Sequence, residues 1–387
     1  MAKVLVAMSG GVDSSLTAAL LHEAGHDVTG VTMHLWEGDD DSLMESQCCS
    51  LEMTAGARSV CAQLGIPYYV WNYQREFRRH VIDYFINEYT AGATPNPCLA
   101  CNRDLKFRYL LERAQLLGFD FLATGHYVQT EWRASGGAWQ AVAPATVDTQ
   151  LATADAQYRM RRSVELRKDQ SYVLYMLQQD ELSRLIFPLG GFSKAEVRAM
   201  AAERKLATAH KPESMDICFI PDNDYHRFMR EEQPDALRPG PIVDRCGAVL
   251  GQHNGLALYT VGQRRGLGIT SREPMFVIEL DPARNLLIVG TKDELERDEL
   301  IAEGFSFVAG RWPSEPVRCT AQIRSHAQAV PATAEPLEPG RLLVRFDAPQ
   351  RAVTPGQAIV LYDGDVTLGG GRITVAQPAT ELALWPD

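Results

Sequence analysis

Over the first two hundred positions, short apolar runs alternate with stretches of helical spacing. "KVLVAM" near the start is a continuous apolar run of a length suited to a strand buried on both faces. Asp13 to Ala24 carries helical spacing, and Gly25 is placed to end it. "VTGVTMHLW" predicts a second strand and Leu51 to Leu64 a second helix, with Gly65 and Pro67 as stop signals. "YYVWNY" predicts a third strand, and Arg75 to Tyr89 a long amphipathic helix. "TAGATPNPCLACN" reads as a loop, because Gly92, Pro95 and Pro97 interrupt a continuous helix. Helical spacing resumes from about Asp104 to Leu117, and "FDFLATGHY" is a further strand. The alternation predicts an α/β fold, an open parallel sheet with helices on both faces.

The pattern then weakens. Residues 129–160 are rich in Gly and Ala and predict a hairpin with a long, mobile insertion. Helices return from Ser171, with Ser193 as N-cap of a helix over Lys194 to Arg204. Beyond about His210, Gly or Pro falls every few residues, which suits a small β-rich module. "LLIVGT", "CTAQIR", "RLLVRFDAP" and "QAIVLYDGDVTLGGGRIT" are short strands at the close spacing of a compact β-barrel. The expected domains are residues 1–209 with the 129–160 insertion, a small central domain over 210–284, and a C-terminal β-barrel over 285–387.

A chain of 387 residues exceeds one ordinary core, in keeping with several domains. No apolar run is long enough for a bilayer, and "MAKVLVAM" lacks the basic and apolar regions of a signal peptide. The expectation is a cytosolic monomer with no membrane partner. The net charge of -11 argues weakly against nucleic acid. A local basic patch can still bind phosphates. "YRMRRSVELRK" sets Arg159, Arg161, Arg162, Arg167 and Lys168 against Glu165 alone, and is a candidate patch or, equally, a solvated strand. Eight cysteines in a cytosolic chain of this size are not a disulfide framework. Most read as buried small apolar residues.

"SGGVDSS", residues 9–15, lies between the first strand and the first helix. Backbone N–H groups at such a turn, with the positive end of the helix, form an anion site. Gly10 and Gly11 let a phosphate approach, and Ser9, Ser14 and Ser15 add hydroxyls. The loop lacks the Gly-Lys-[Ser/Thr] ending of a Walker loop and the spacing of a dinucleotide loop. Asp13 is out of place beside phosphate unless it helps to hold Mg²⁺.

"SGGVDSS" resembles the pyrophosphate loop of the ATP pyrophosphatases, which cut ATP between the α and β phosphates. "GVTMHLWE", "TPNPCLACNRDLKF", "ATGHY", "LRKDQSYVLYML", "SMDICFIP", "YTVGQRRGLGI" and "TPGQAIVLY" follow in order. Together these strings resemble the tRNA-specific 2-thiouridylases over nearly the whole chain, apart from 129–160. That resemblance implies ATP-dependent adenylation of O2 of the wobble uridine and its replacement by sulfur. It implies ATP contacts at Ala7, Met8, Ser9, Gly10, Gly11, Val12, Asp13 and Ser14, with Met33 near the adenine and Gly125 beside it. Cys101 matches the family's nucleophile and Cys218 its persulfide carrier, and sulfur release would leave a Cys101–Cys218 disulfide. The two lie 117 positions apart (218 − 101). A protein that donates sulfur is the implied partner.

Asn96, Pro97, Cys98 and His126 would lie near the flipped uridine. Lys168, Asp169 and Gln170 match a tRNA-contact motif, and Arg324, Ser325 and Gln357 would face the anticodon stem-loop. Many relatives have Asp where this chain has Cys98. Three thiols, Cys98, Cys101 and Cys218, could hold a four-iron four-sulfur cluster with one iron open. The sulfur route therefore stands open between a persulfide relay and a cluster, with Cys98 a spare thiol in the first.

Overall fold

Val4 and Val6 face one side of the first strand and Leu5 the other, and all three are fully buried, in two separate cores. Each such side chain contributes about 1.5–3 kcal/mol by leaving water. A computed structural model describes residues 1–36, 51–146, 156–212 and 217–377. Cys48, Cys49 and the tip of the 129–160 insertion lie outside them. The strands β1 (Lys3–Ala7), β2 (Asp27–His34), β3 (Tyr68–Asn72) and β4 (Phe121–Ala123) form a parallel sheet. Its order is β3-β2-β1-β4, followed by Leu185–Ile186. Helices α1 (Val12–Glu23) and α2 (Leu51–Leu64) follow β1 and β2. The strand order reverses direction between β1 and β4. In open α/β sheets, ligands bind in the crevice at the carboxyl ends of the strands on either side of that point.

The predicted open parallel sheet is present, as are the β-rich centre and the barrel. The centre is a four-stranded sheet in the order Val249–His253, Gly240–Val243, Leu286–Gly290, Phe276–Asp281. The barrel is antiparallel and closes because Glu296–Phe307 pairs with both Arg341–Arg351 and Val366–Gln377. Closure removes exposed strand edges. The hairpin Val128–Arg133 with Gln157–Arg162 continues the barrel: Val366 pairs with Arg161 and Thr367 with Met160.

Three expectations change. The strand in "LLIVGT", expected in the barrel, is Leu286–Gly290 of the central sheet, paired with Phe276–Asp281 and Gly240–Val243, because its partners come from the segment before it. The loop expected to run through Asn102 ends at Asn96, and a helix begins with Pro97–Ala100. Proline breaks a helix interior but suits its first turn, where its missing N–H has no partner in any case. Asn96 Oδ1 accepts the Cys98 N–H at 3.1 Å as the cap. The helix continues in wide, π-type turns over Cys101–Leu110. The basic segment, read as a patch or a solvated strand, is a strand whose arginines turn to partners. Arg159 and Arg161 both donate to Glu131, at 2.5 and 2.8 Å, and Arg161 also pairs with Asp365. The Arg162 guanidinium stacks 3.7 Å from the Tyr362 ring centre. The sequence displays these charges together but not the acids, which arrive from other strands.

Candidate active site

Gly10, at φ +75°, turns the chain out of β1 in the left-handed region that glycine tolerates. Gly11 caps α1 with extended backbone and no side-chain hydrogen bond, so first-turn N–H groups face the crevice. The serines brace the loop. Ser14 Oγ accepts the Ser9 N–H at 3.2 Å and donates to the Gly11 carbonyl, and Ser15 Oγ donates to the same carbonyl at 2.8 Å. Across the crevice, a Cβ on Gly125 would lie 2.9 Å from both the Asp13 carbonyl carbon and the Ser14 nitrogen. Only glycine lets the loop after β4 close on α1 this tightly. Gly125 thus lies against the loop backbone. Met33, near the end of β2, is half-buried against the hydrophobic core.

Asp13 does not present an open carboxylate to a metal. Lys194 Nζ donates to its two oxygens at 2.7 and 2.8 Å, and Tyr127 Oη donates at 2.7 Å. The Lys194 side chain is only 11% exposed, so the pair is screened little by water. Sequence reasoning missed Lys194, although a signal was present. It is the first residue of the helix Lys194–Glu203, held by the Ser193–Glu196 capping box and by Glu165, which accepts its N–H at 2.7 Å. A cation there opposes the positive end of its own helix. Such a local conflict marks a residue placed for another purpose.

The three thiols differ in exposure. Cys101 and Cys218 are both half-buried against the same hydrophobic core. Phe219 fixes Cys218 in place, its ring packing on Phe77, Phe85 and Phe228 at centroid distances of 5.8, 5.3 and 5.5 Å. Next to Cys101, Asn102 is buried and donates to the Val173 carbonyl at 2.9 Å. Cys98 is exposed on the first turn of the helix. Among the described residues, no group of three or more His, Cys, Asp or Glu is arranged to hold a metal ion. The three thiols are not gathered into such a group, and the Asp13 carboxylate is engaged by Lys194 and Tyr127.

His126 follows Gly125 and is buried between Phe107 and Phe187. Its Nδ1 lies 2.7 Å from Thr124 Oγ1. Burial, with the nearby Lys106 charge, holds its pKa well below the ordinary 6.5. The imidazole is neutral at pH 7 and serves as a hydrogen-bonding group. Below about pH 6.5 the unfolded chain binds a proton that native His126 resists, so stability is lost as pH falls. Half-buried His226 and buried His253 act in the same direction. We expect the melting temperature to drop between about pH 7 and about pH 5, and to drop less in His126→Gln. Equal drops in both proteins would refute the assignment.

Other expected contacts have internal duties. Asp169 is largely buried, which raises its pKa, and its oxygens accept from the Ser163 and Ser171 N–H groups and the Ser171 hydroxyl. Gln170 Oε1 accepts the Tyr127 N–H at 2.8 Å, steadying the residue that holds Asp13. Gln357 donates to the Thr94 carbonyl at 2.9 Å, and the Thr94 N–H donates to the Pro355 carbonyl at 2.9 Å. The barrel therefore grips the segment leading to Asn96, Pro97 and Cys98. Lys168 lies beyond the arginine strand, and Arg324 is exposed on the barrel with Ser325 beside it. No helix among the described residues is long and apolar enough to cross a membrane.

The sequence matches three family descriptions: a tRNA methyl transferase HUP domain over residues 2–222, a tRNA methyl transferase PRC-barrel domain over 226–291, and an aminomethyltransferase beta-barrel domain over 297–373. Among curated proteins it is 64% identical over 376 residues to the tRNA-specific 2-thiouridylase MnmA of Roseiflexus sp. strain RS-1, covering 96% of this chain and 99% of that protein. It is 64% identical over 374 residues to the protein of the same name from Herpetosiphon aurantiacus, covering 97% and 99%. The protein of that name from Chloroflexus aurantiacus is 56% identical over 373 residues, covering 96% and 98%.

Proposed function

This chain belongs to the tRNA-specific 2-thiouridylase family, and from that premise we propose that it is a tRNA sulfurtransferase driven by ATP. O2 of the wobble uridine attacks the α-phosphate, and pyrophosphate leaves. The glycine loop from Ala7 to Ser14 holds the departing pyrophosphate with the uncapped N–H groups of α1, which need no Walker lysine. Met33 flanks the adenine. Neutral His126 and the Asn96–Cys98 turn receive the flipped base.

The adenylated oxygen is then a good leaving group. A persulfide on Cys218, loaded by a sulfur-donor protein, attacks C2 through its outer sulfur, and AMP departs. Ionised Cys101 attacks the inner sulfur, the S–S bond breaks, and its electron pair goes to the sulfur now on the base. The products are 2-thiouridine and a Cys101–Cys218 disulfide, which two electrons from an external dithiol return to thiols. Lys168, Arg324 and Ser325 meet the anticodon stem-loop. Asp169, Gln170 and Gln357 act by holding the loops that frame the site.

One arrangement carries the reading. An uncapped glycine loop lies at the reversal point of the sheet, and Cys101 and Cys218, far apart in sequence, are half-buried against one and the same core. The test supplies the chain with ATP, tRNA and a persulfide donor. AMP, pyrophosphate and 2-thiouridine are expected in equal amounts, with no AMP when tRNA is omitted. Release of ADP, or AMP formed equally well without tRNA, overturns the proposal.

A further inference from the structure

With the Lys194 charge committed to Asp13, the pair is neutral overall, and the glycine loop itself contains no lysine or arginine. A triphosphate carries several negative charges, and helix N–H groups alone offer only partial positive charge. A second ammonium does reach the loop. A Cβ built on Gly56, within α2, would lie 2.8 Å from Lys211 Nζ and 3.3 Å from the Gly10 carbonyl oxygen. The Lys211 ammonium therefore occupies the space of an alanine methyl, next to the turn that grips phosphate. Glycine inside a helix costs about 1 kcal/mol relative to alanine. At Gly56 it leaves a channel for this side chain.

The backbone around Lys211 is held to the same end. Its N–H donates to the Thr208 carbonyl at 3.1 Å. Arg198, from the helix that also carries Lys194, donates to the Ala209 and Lys211 carbonyls at 3.2 and 3.1 Å. One helix thus sets both lysines: Lys194 through its own first turn, and Lys211 through the guanidinium clasp of Arg198.

We propose that Lys211 is the cation that binds the pyrophosphate end of ATP, admitted to the loop by the missing side chain of Gly56. The inference rests on the ATP-dependent reading above. It assigns the role of the absent Walker lysine to a residue about two hundred positions further along the chain.

The test is calorimetric titration of the full chain with inorganic pyrophosphate, ATP and AMP. Lys211→Met is expected to weaken pyrophosphate and ATP roughly tenfold or more, the scale of one charge-assisted hydrogen bond, with AMP unchanged. Lys211→Arg recovers part of the loss. Gly56→Ala displaces the flexible tip of Lys211, at 2.8 Å, leaves Thr208 Cγ2 in ordinary contact at 3.5 Å, and asks the Gly10 carbonyl oxygen, at 3.3 Å, to give by a few tenths of an ångström. That variant is expected to fold and to bind pyrophosphate severalfold more weakly with AMP unchanged, a split that a purely structural lysine does not produce. Wild-type pyrophosphate affinity in Lys211→Met overturns the inference alone. A wild-type protein that binds neither ATP nor pyrophosphate overturns the ATP reading along with it.

Discussion

In Cys218→Ser, tRNA thiolation from a persulfide donor is expected to fall by on the order of a thousandfold or more, while one equivalent of pyrophosphate per enzyme still appears. The serine hydroxyl cannot carry a sulfane sulfur, so the reaction stops at the adenylated uridine. The adenylation step uses the glycine loop and is untouched. Cys101→Ser is expected to fail later. Its first turnover releases AMP, and tRNA accumulates bonded through a disulfide to Cys218, visible as a slow-migrating band that a thiol reductant dissolves. The order of the two defects is the informative part. Full thiolation by Cys218→Ser with a persulfide donor removes Cys218 from the chemistry. A Cys101→Ser enzyme that turns over at the normal rate removes the disulfide step. Partial burial of both thiols against one core favours this route, since it limits water's competition for the persulfide.

The second large effect concerns the Lys194–Asp13 pair. Lys194→Met leaves the Asp13 carboxylate with the Tyr127 hydroxyl, beside the first turn to which the proposed reaction assigns the phosphates. Breaking a buried pair typically costs 3–5 kcal/mol. Asp13 is still 32% exposed, so about 1–3 kcal/mol is the expected loss of stability. ATP affinity is expected to fall roughly tenfold or more, from the uncompensated negative charge. The double variant Asp13→Asn/Lys194→Met should recover most of both, because the pair's contribution is neutrality. Chemical denaturation and ATP titration on the four members of this cycle check it. A double variant as weak for ATP as Lys194→Met would mean that Lys194 touches the nucleotide itself.

The parts of this protein set by local chemistry were legible in its sequence. The run at β1 and the glycine loop after it required only strand periodicity and turn stereochemistry. The capping box at Ser193 declared its helix in four residues. The misjudged start at Pro97 came from treating proline only as a breaker, although Asn96 before it was the visible cap. Partnerships between distant segments were not legible. Nothing in "SGGVDSS" announces that Asp13 will meet a lysine 181 positions away. Nothing in "YRMRRSVELRK" shows that Glu131 and Asp365 will take its charges. Resemblance implies tRNA contact at Asp169, Gln170 and Gln357, and it gave no sign that their side chains also hydrogen-bond neighbouring loops. A motif fixes which residues matter more readily than it fixes the direction in which each one points.

The barrel's grip on the segment before Cys101 also has a consequence for how the protein is made. Thr94 must wait for Pro355, 261 positions later (355 − 94), before its N–H is satisfied by that carbonyl. The strand Gln157–Arg162 must likewise wait for Val366 and Thr367. During synthesis the five strands of the first sheet, complete by Ile186, emerge long before either partner. Domains generally form in the order in which they leave the ribosome. A chain interrupted before the last barrel strands is therefore expected to carry a formed nucleotide crevice and an unfastened cysteine loop, able to engage ATP before it can deliver sulfur.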